Sequence, residues 1–374
     1  MSADFGTRLR ALLTDRGLSL RGAARALNYD VAYLSRVVNG RQHPSVQLAE
    51  ALEELLEVRG ELAALAMPQT PLSPSEAPCG PAADIAQMKA SAAYLLGHTD
   101  RYGGDTVAPA AVQVWRSAQR KLDSGEIPDK EQPGYLSAVS EAAEVAGWLL
   151  FDSGERERAR RAFLESHMLA RHAGDRAMQW FALDMLAMLD TECNRPGETR
   201  RIADELLSQR RIPPRVALLA RVRRGRALAQ IGDRQRALAD LDAARGELEE
   251  SLSPRDPDWA WWVNDDEVAG HSAHALMSLG DLRGAIPKLQ HSLQHATPRG
   301  VMLYRIGLFQ SYTEVKAWSE AEGEIYKISA LLDAISSGRN RRLLREALRI
   351  VDRAPGVPSG LSSLAGYTAA AIAS

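Results

Sequence analysis

The 374-residue sequence predicts an all-α protein, in which a small N-terminal helical domain precedes a long array of helix pairs. Three observations carry this prediction. Apolar residues recur at helical spacing through most of the chain, and a proline-rich stretch at 67–81 interrupts them once. From residue 147 onward, glycine and alanine return at similar offsets around successive turns.

The composition is that of an ordinary globular protein, with 45% hydrophobic residues, 25% charged residues and a formal net charge of −2. No run of eighteen apolar residues occurs, and the N-terminus lacks the pattern of a signal peptide. The two cysteines, Cys79 and Cys193, lie in unrelated settings. We therefore expect a reduced, cytoplasmic protein of two or three domains without a membrane partner.

The segment Leu20–Asn39 is spaced as two helices joined by a tight turn. Ala23 and Ala24 can face a core together, and Ala24 is small where the two helices would cross. Asn28 tolerates the left-handed backbone that the turn requires. Asp30 stands at an N-cap position before a second apolar series. This spacing predicts a helix-turn-helix.

The flanks of this segment extend the pattern. Amphipathic helices are predicted around Leu9–Leu13 and Leu48–Leu56, with a Gly- and Pro-containing break at 39–45. The order of YLSR, NGR and P-S resembles the Cro/cI-type helix-turn-helix domain, also called the XRE family, over about the first 65 residues. This resemblance implies a five-helix domain whose exposed helix enters the DNA major groove.

Charge and geometry suggest which residues would contact double-stranded DNA. Residues 1–45 carry seven arginines against three aspartates, which favours contact with phosphates. The predicted DNA-binding residues are Ser19, Arg21, Val31, Ala32, Tyr33, Ser35, Arg36, Asn39 and Arg41. On the solvent face of the second helix, Arg36 is the predicted base reader, and Val31 and Ala32 could contact thymine methyl groups. Two other interpretations are a helical hairpin without a DNA role and Tyr33 as a packing residue.

The remainder of the chain contains internal repeats. Small residues at two positions of each copy would let antiparallel helices approach, and a large residue would pack between neighbours. The three clearest copies are Gly147, Leu150, Gly154, Ala159 and Phe163; Gly225, Leu228, Gly232, Ala237 and Leu241; and Ala273, Leu276, Gly280, Ala285 and Leu289. Weaker copies surround Asn194 and Lys316. The pattern resembles the tetratricopeptide repeat, although a generic helical bundle remains an alternative because most consensus tryptophans and prolines are missing.

These features predict four regions: a helix-turn-helix DNA-binding domain at 1–66, a proline-rich linker at 67–82, a tetratricopeptide-like α-solenoid at 83–355 and a C-terminal tail at 356–374. The combination resembles actinobacterial Cro/cI-type regulators with a long repeat domain, through Asp100–Gly104, Ala146–Trp148 and Phe151–Gly154. It is similar in layout to the peptide-sensing regulators of other Gram-positive bacteria. That resemblance implies a homodimer whose repeats bind a peptide or small ligand, without a transferable peptide motif.

The first helices of the repeats would line a concave ligand groove. Its predicted contact residues are Glu144, Trp148, Phe181, Asp184, Met188, Arg226, Glu267 and His274. Acidic residues outnumber basic ones and apolar residues lie between them, so we expect a cationic or amphipathic ligand. The alternative is that many of these residues are surface or core, with Trp259, Trp261 and Trp262 as packing anchors.

Enzymatic readings find little support, because the sequence lacks a Gly-rich phosphate loop, HExxH, CxxC and GxSxG. We predict no catalytic residue, no metal and no cofactor. The acidic run Asp265–Glu267 is interpreted as a solvated helix start, and His271, His274, His291 and His295 as surface residues. Two functional classes stay open: a ligand-responsive DNA-binding regulator, and a regulator or scaffold whose repeats bind a protein partner without a small effector.

Overall fold

A computed structural model describes residues 5–27, 29–39, 42, 44–58, 61–66, 80–248 and 253–372. Within these ranges the chain forms helices and no β-strand, which confirms the all-α prediction. None of the helices described there is long and apolar enough to cross a bilayer. Asn28, Arg41, Cys79 and the predicted linker residues 67–79 lie outside the described part of the chain.

The N-terminal domain, here called the head, contains the five expected helices. They are α1 (Phe5–Asp15), α2 (Leu20–Ala26), α3 (Val31–Val38), α4 (Val46–Leu56) and α5 (Glu61–Ala66). Their apolar faces meet in one core, where Leu9, Leu34, Leu48 and Leu52 are completely buried. The helical spacing of apolar residues in the sequence therefore places the core of the head correctly.

The helices after residue 80 continue in antiparallel pairs. They are α6 (Pro81–Tyr102), α7 (Ala108–Asp123), α8 (Gln132–Asp152), α9 (Arg156–Ala173), α10 (Arg176–Glu192), α11 (Pro196–Ser208), α12 (Pro214–Gln230), α13 (Arg234–Gly246), α14 (Asp265–Ser278), α15 (Leu282–Leu293), α16 (Pro298–Glu314), α17 (Trp318–Ser329), α18 (Gly338–Arg353) and α19 (Ser359–Ala371). A 3₁₀ helix, Asp258–Trp262, precedes α14.

The turns within five of these pairs share one backbone conformation. From α8–α9 to α16–α17, each turn contains a residue with a positive φ, which closes the helix that precedes it. These residues are Gly154 (86°), Asn194 (55°), Gly232 (80°), Gly280 (74°) and Lys316 (62°). The weaker repeat copies around Asn194 and Lys316 therefore have the same turn as the three clear ones.

Small residues permit close helix contact inside the pairs, as the repeat pattern predicts. A Cβ atom added to Gly147 of α8 would lie 2.6 Å from the Phe163 ring of α9. One added to Gly225 of α12 would lie 2.9 Å from Leu241 of α13. The repeats thus form a tetratricopeptide-like α-solenoid, in agreement with the predicted fold class.

The solenoid closes on itself. The first helices of successive pairs, α8, α10, α12, α14, α16 and α18, contact one another in order, α18 returns to α8, and α16 reaches α6. The Ser336 amide donates to the Tyr102 carbonyl at 2.6 Å, and the Gly338 amide donates to Asp105 Oδ1 at 2.7 Å. The concave face becomes the interior of a closed structure, here called the ring.

Two chain segments differ from the expected boundaries. Helix α6 begins at Pro81, inside the stretch assigned to the linker at 67–82. The segment 356–374, expected to be a tail, contains α19, which packs on α17 and α18 through Leu361 and Ala365. Many of the apolar residues of α19 are alanines, so a core-facing stripe did not stand out in the sequence.

Candidate functional site

Both helices of the helix-turn-helix begin with side-chain caps. Ser19 Oγ accepts a hydrogen bond from the Gly22 amide at 3.0 Å, and Asp30 Oδ1 accepts one from the Tyr33 amide at 2.7 Å. These bonds satisfy amides that a helix start leaves unpaired. They fix the start of α3 at the residue that the sequence indicates.

The face of α3 that carries the predicted base contacts is not open to solvent. The Arg36 side chain is only 19% exposed and lies 3.2 Å from Asp258 of the 3₁₀ helix. Its Nε also donates to Gln42 Oε1 at 3.0 Å. Val31 is half-buried against the core of the head. Neither side chain is open to solvent as expected: Arg36 is covered by Asp258 of the 3₁₀ helix, and Val31 packs partly against the head's own core.

The remaining predicted DNA contacts are dispersed around this helix. Tyr33 is buried and receives a hydrogen bond from the Ser45 amide, as the packing interpretation requires. Arg21 is exposed, Ser35 is half-buried, and exposed Asn39 accepts a hydrogen bond from Arg10. Arg41 and the side chain of Ala32 lie outside the described residues. A DNA contact for any of them stays a prediction.

Inside the ring, three of the predicted groove residues meet around one histidine. Asp184 accepts two hydrogen bonds from Arg223, at 2.9 and 2.8 Å, and both side chains are 1% exposed. Arg223 Nη1 lies 2.7 Å from His271 Nε2, which is 3.0 Å from Glu267 Oε1. Arg226 Nη1 lies 3.3 Å from His271 Nδ1. Asp184, Arg226 and Glu267 therefore belong to one buried polar network.

The protonation of this network follows from its burial. Burial and the charge of Arg223 lower the pKa of His271 to about 3. Burial and the charge of Arg226 lower the pKa of His274 to about 4. Both rings are therefore neutral at physiological pH. The interpretation of His271 as a surface residue is wrong.

The other acidic residues near the start of α14 are also engaged. His291 lies 2.7 Å from Asp265, and His295 lies 3.2 Å from Asp266, which is buried. The helix start predicted at Asp265 is present, but Asp266 is not solvated. In the described part of the chain, no group of three or more His, Cys, Asp and Glu side chains is placed to hold a metal ion.

Most acidic side chains of the ring interior have arginine partners. Asp152 pairs with Arg299 at 3.3 Å, and the Arg299 guanidinium lies 4.9 Å from the centre of the Trp148 ring. Glu192 pairs with Arg339 and with Arg342. Arginines that the sequence pattern omitted therefore offset much of the negative charge predicted for the groove.

One acidic residue of the interior, Glu144, has no arginine partner. Glu144 is 3% exposed and makes no hydrogen bond or ion pair with any described residue. Burial, together with the charges of Glu141 and Asp184, raises the pKa of Glu144 well above its usual range. Nearby on α10, Phe181 stacks on Trp259, with ring centres 4.6 Å apart and planes 8° apart. Met188 of the same helix is buried.

The partners of these groove residues escaped the sequence analysis. Arg223, Arg299 and Arg339 lie on α12, α16 and α18, and each pairs with an acid on a different helix pair. Nothing in the local sequence shows which helices the closed ring brings together. The one sequence signal is that these arginines stand at helix positions that face the ring interior.

Comparisons with known proteins identify the head and find distant structural neighbours. Residues 4–66 match the family model described as a helix-turn-helix domain. The chain matches no curated protein. Among solved structures, it is similar to Bacillus thuringiensis PlcR in complex with the peptide PapR7 and DNA, with 12% identity, a TM-score of 0.36 and coverage of 78% of this chain and 94% of that one. It is also similar to the Cut9–Hcn1 hetero-tetramer of APC/C, with 14% identity, a TM-score of 0.35 and coverage of 97% and 74%. The family match therefore identifies a helix-turn-helix domain at the N-terminus, ahead of the helix pairs described above.

Proposed function

We propose that this protein is a sequence-specific, cytoplasmic DNA-binding transcriptional regulator of the XRE type, and not an enzyme. The observation that carries the proposal is the capped helix-turn-helix of the head, with α3 as the recognition helix and Arg36 in its last turn. An arginine at such a position can bond the edge of a guanine with two parallel hydrogen bonds. The match of residues 4–66 to a helix-turn-helix model supports the same role.

The test begins with selection of duplexes from a random-sequence library by the full-length chain. Arg36→Ala should relax the preference at one base position and remove about 1–3 kcal/mol of discrimination against the other bases there. Arg16→Ala is the matched control, because Arg16 lies outside α2 and α3 and pairs with Glu57 at the surface of the head. Failure to enrich any sequence, or an unchanged preference after Arg36→Ala, would contradict the proposal.

We propose that the regions of the chain have the roles that the sequence predicts. Residues 1–66 bind DNA, 67–82 act as a linker, and 83–355 form the sensor and dimerisation domain, with 356–374 attached to its end. A single head offers little contact surface, and a homodimer on paired half-sites would increase it. Light scattering on the full-length chain should give the mass of a dimer at micromolar concentration; a monomer both free and on DNA would contradict this.

We propose that the ring interior binds the effector, a peptide or small ligand, near Glu144, Trp148 and Phe181. What supports this is the combination of an unpartnered buried carboxyl group and stacked aromatic rings, which suits a cationic group. A library of short basic peptides should raise the melting temperature of the wild type. Glu144→Gln should remove that shift, whereas the exposed-site control Glu157→Gln should keep it. If no peptide acts while a tight protein partner is recovered, the scaffold alternative gains support.

A further inference from the structure

The recognition helix is docked on the ring by an aromatic contact. Trp261 of the 3₁₀ helix stacks on Tyr33 of α3, with ring centres 5.2 Å apart, and on Tyr29 at 6.4 Å. The same tryptophan packs against the apolar core of the head. The α3 surface under Trp261 is therefore removed from solvent.

Two ion pairs flank this contact. Arg36 pairs with Asp258 at 3.2 Å, at the first residue of the 3₁₀ helix. Asp30 pairs with Arg215 of α12 at 3.1 Å, and these two side chains are only 4% and 6% exposed. Asp30 uses its other oxygen to cap α3, and Arg215 also donates to the Val263 carbonyl. The start of α3 and its predicted base reader are thus both held by the ring.

These contacts are incompatible with DNA in the major groove. A recognition helix must present its N-terminal residues to base edges inside a groove about 12 Å wide. Here Trp261 and Asp258 occupy that side of α3, and Asp258 takes the guanidinium that a base would bind. We propose that the surface formed by Arg215, Asp258 and Trp261, here called the lock, sequesters the recognition helix and must separate from it before DNA binds. This inference rests on the proposed function.

The lock is also connected to the ring interior. Trp259 stands two residues before Trp261 in the same 3₁₀ helix, stacks on Phe181 and donates its indole N–H to the Ala177 carbonyl at 2.9 Å. A five-residue 3₁₀ helix thus has one tryptophan on the proposed effector site and another on the recognition helix. A ligand that displaces Trp259 from Phe181 would shift the helix that carries the lock. A ligand in the interior can thereby shift the lock between its docked and separated positions.

The size of the expected effect follows from the population of the open state. The apparent dissociation constant equals the intrinsic one divided by the open fraction. If the wild type is open about one-tenth of the time or less, a variant without the lock binds DNA at least about tenfold tighter. This effect is distinctive, because substitutions outside the DNA-binding head would then strengthen DNA binding.

The experiment measures binding of the full-length chain to the selected duplex by fluorescence anisotropy at fixed salt. Asp258→Lys replaces the attraction for Arg36 by repulsion, and Trp261→Ala removes the stacking without a change of charge. Each should tighten binding, and the double variant should tighten it at least about tenfold. Asp242→Lys, at an exposed site on α13, has the same charge change and controls for general attraction to DNA. Phe181→Ala should give a smaller increase through loss of the Trp259 anchor.

A second measurement does not depend on DNA. Hydrogen exchange of the α3 amides, residues 31–38, should become faster in the double variant, whereas Asp242→Lys should exchange like the wild type. Equal DNA affinity and equal exchange in wild type and double variant would overturn the lock. If no variant binds DNA but α3 exchange still rises, the lock stands and the DNA-binding function fails. Wild-type affinity for Phe181→Ala would overturn only the connection to the ring interior.

Discussion

The head and the ring bury different kinds of side chain. The core of the head is apolar, with Leu9, Leu34 and Leu52 completely buried. The ring has apolar cores between its helix pairs, but its interior also buries whole ion pairs such as Asp184–Arg223. Apolar burial needs only a face of the right periodicity, whereas a buried charge requires a partner in the right place. The head is thus specified locally, and the ring interior depends on correct closure.

The largest effect should come from leaving one interior charge unpaired. Arg223→Met strands the Asp184 carboxylate, and we expect a loss of about 3–5 kcal/mol in the free energy of unfolding. Arg221→Met is the control on the same helix, because Arg221 pairs with Glu247 near the surface and should cost less than about 1 kcal/mol. Chemical denaturation of the full-length protein provides the measurement.

Replacing both members of that pair sharpens the comparison. With Arg223→Met and Asp184→Leu together, no charge is stranded, so stability should return close to that of the wild type. A double variant as unstable as Arg223→Met alone would show that His271 and Arg226 depend on the pair as well. The free energies of the two single variants and the double variant give the coupling directly.

In the head, Leu52→Ala should cost about 2–5 kcal/mol, because a cavity remains at a fully buried position. Leu55→Ala, one turn along α4 and only half-buried, should cost less. Calorimetry should show the head unfolding at a lower temperature while the transition of the ring changes little. A joint loss of both transitions would contradict the view that the core of the head is specified locally.

These differences explain what the sequence could predict. The five helices of the head, the cap at Asp30 and the repeated turns, including Asn194 and Lys316, follow from local spacing and backbone preferences. The burial of His271 and the covering of Arg36 by Asp258 depend on contacts between residues far apart in the chain. Pairing between charges that are far apart in the chain produces no periodic pattern in the sequence. The burial of His271 and the covering of Arg36 were therefore not predicted.

A substitution with a smaller effect on stability tests the close approach of helices within a repeat. Gly147→Ala places a methyl group 2.6 Å from the Phe163 ring and should cost about 1–3 kcal/mol. Gly134→Ala, on the same helix α8 but with nothing within 4 Å, should instead gain up to about 1 kcal/mol from helix propensity. Thermal melts of the two variants should therefore move in opposite directions, and a shared direction would rule out the steric explanation.

The smallest effect concerns the carboxyl group that has no described partner. Burial raises the pKa of Glu144 above its unfolded value of about 4.3, so the folded protein holds this proton more tightly than the unfolded chain. The contribution of Glu144 to stability is therefore fully present below that unfolded value and is lost as pH rises through the folded pKa. Glu144→Gln removes the ionisation. The variant should therefore have the melting temperature of the wild type at pH 4 and a higher one at pH 8, by about 2–4 °C for each kcal/mol of difference in stability. Glu157→Gln, at an exposed site, should follow the wild type throughout. Coincident melts of wild type and Glu144→Gln at every pH would mean that the Glu144 carboxylate is solvated or paired, and the contrast between Glu144 and the paired acids of the ring interior would then disappear.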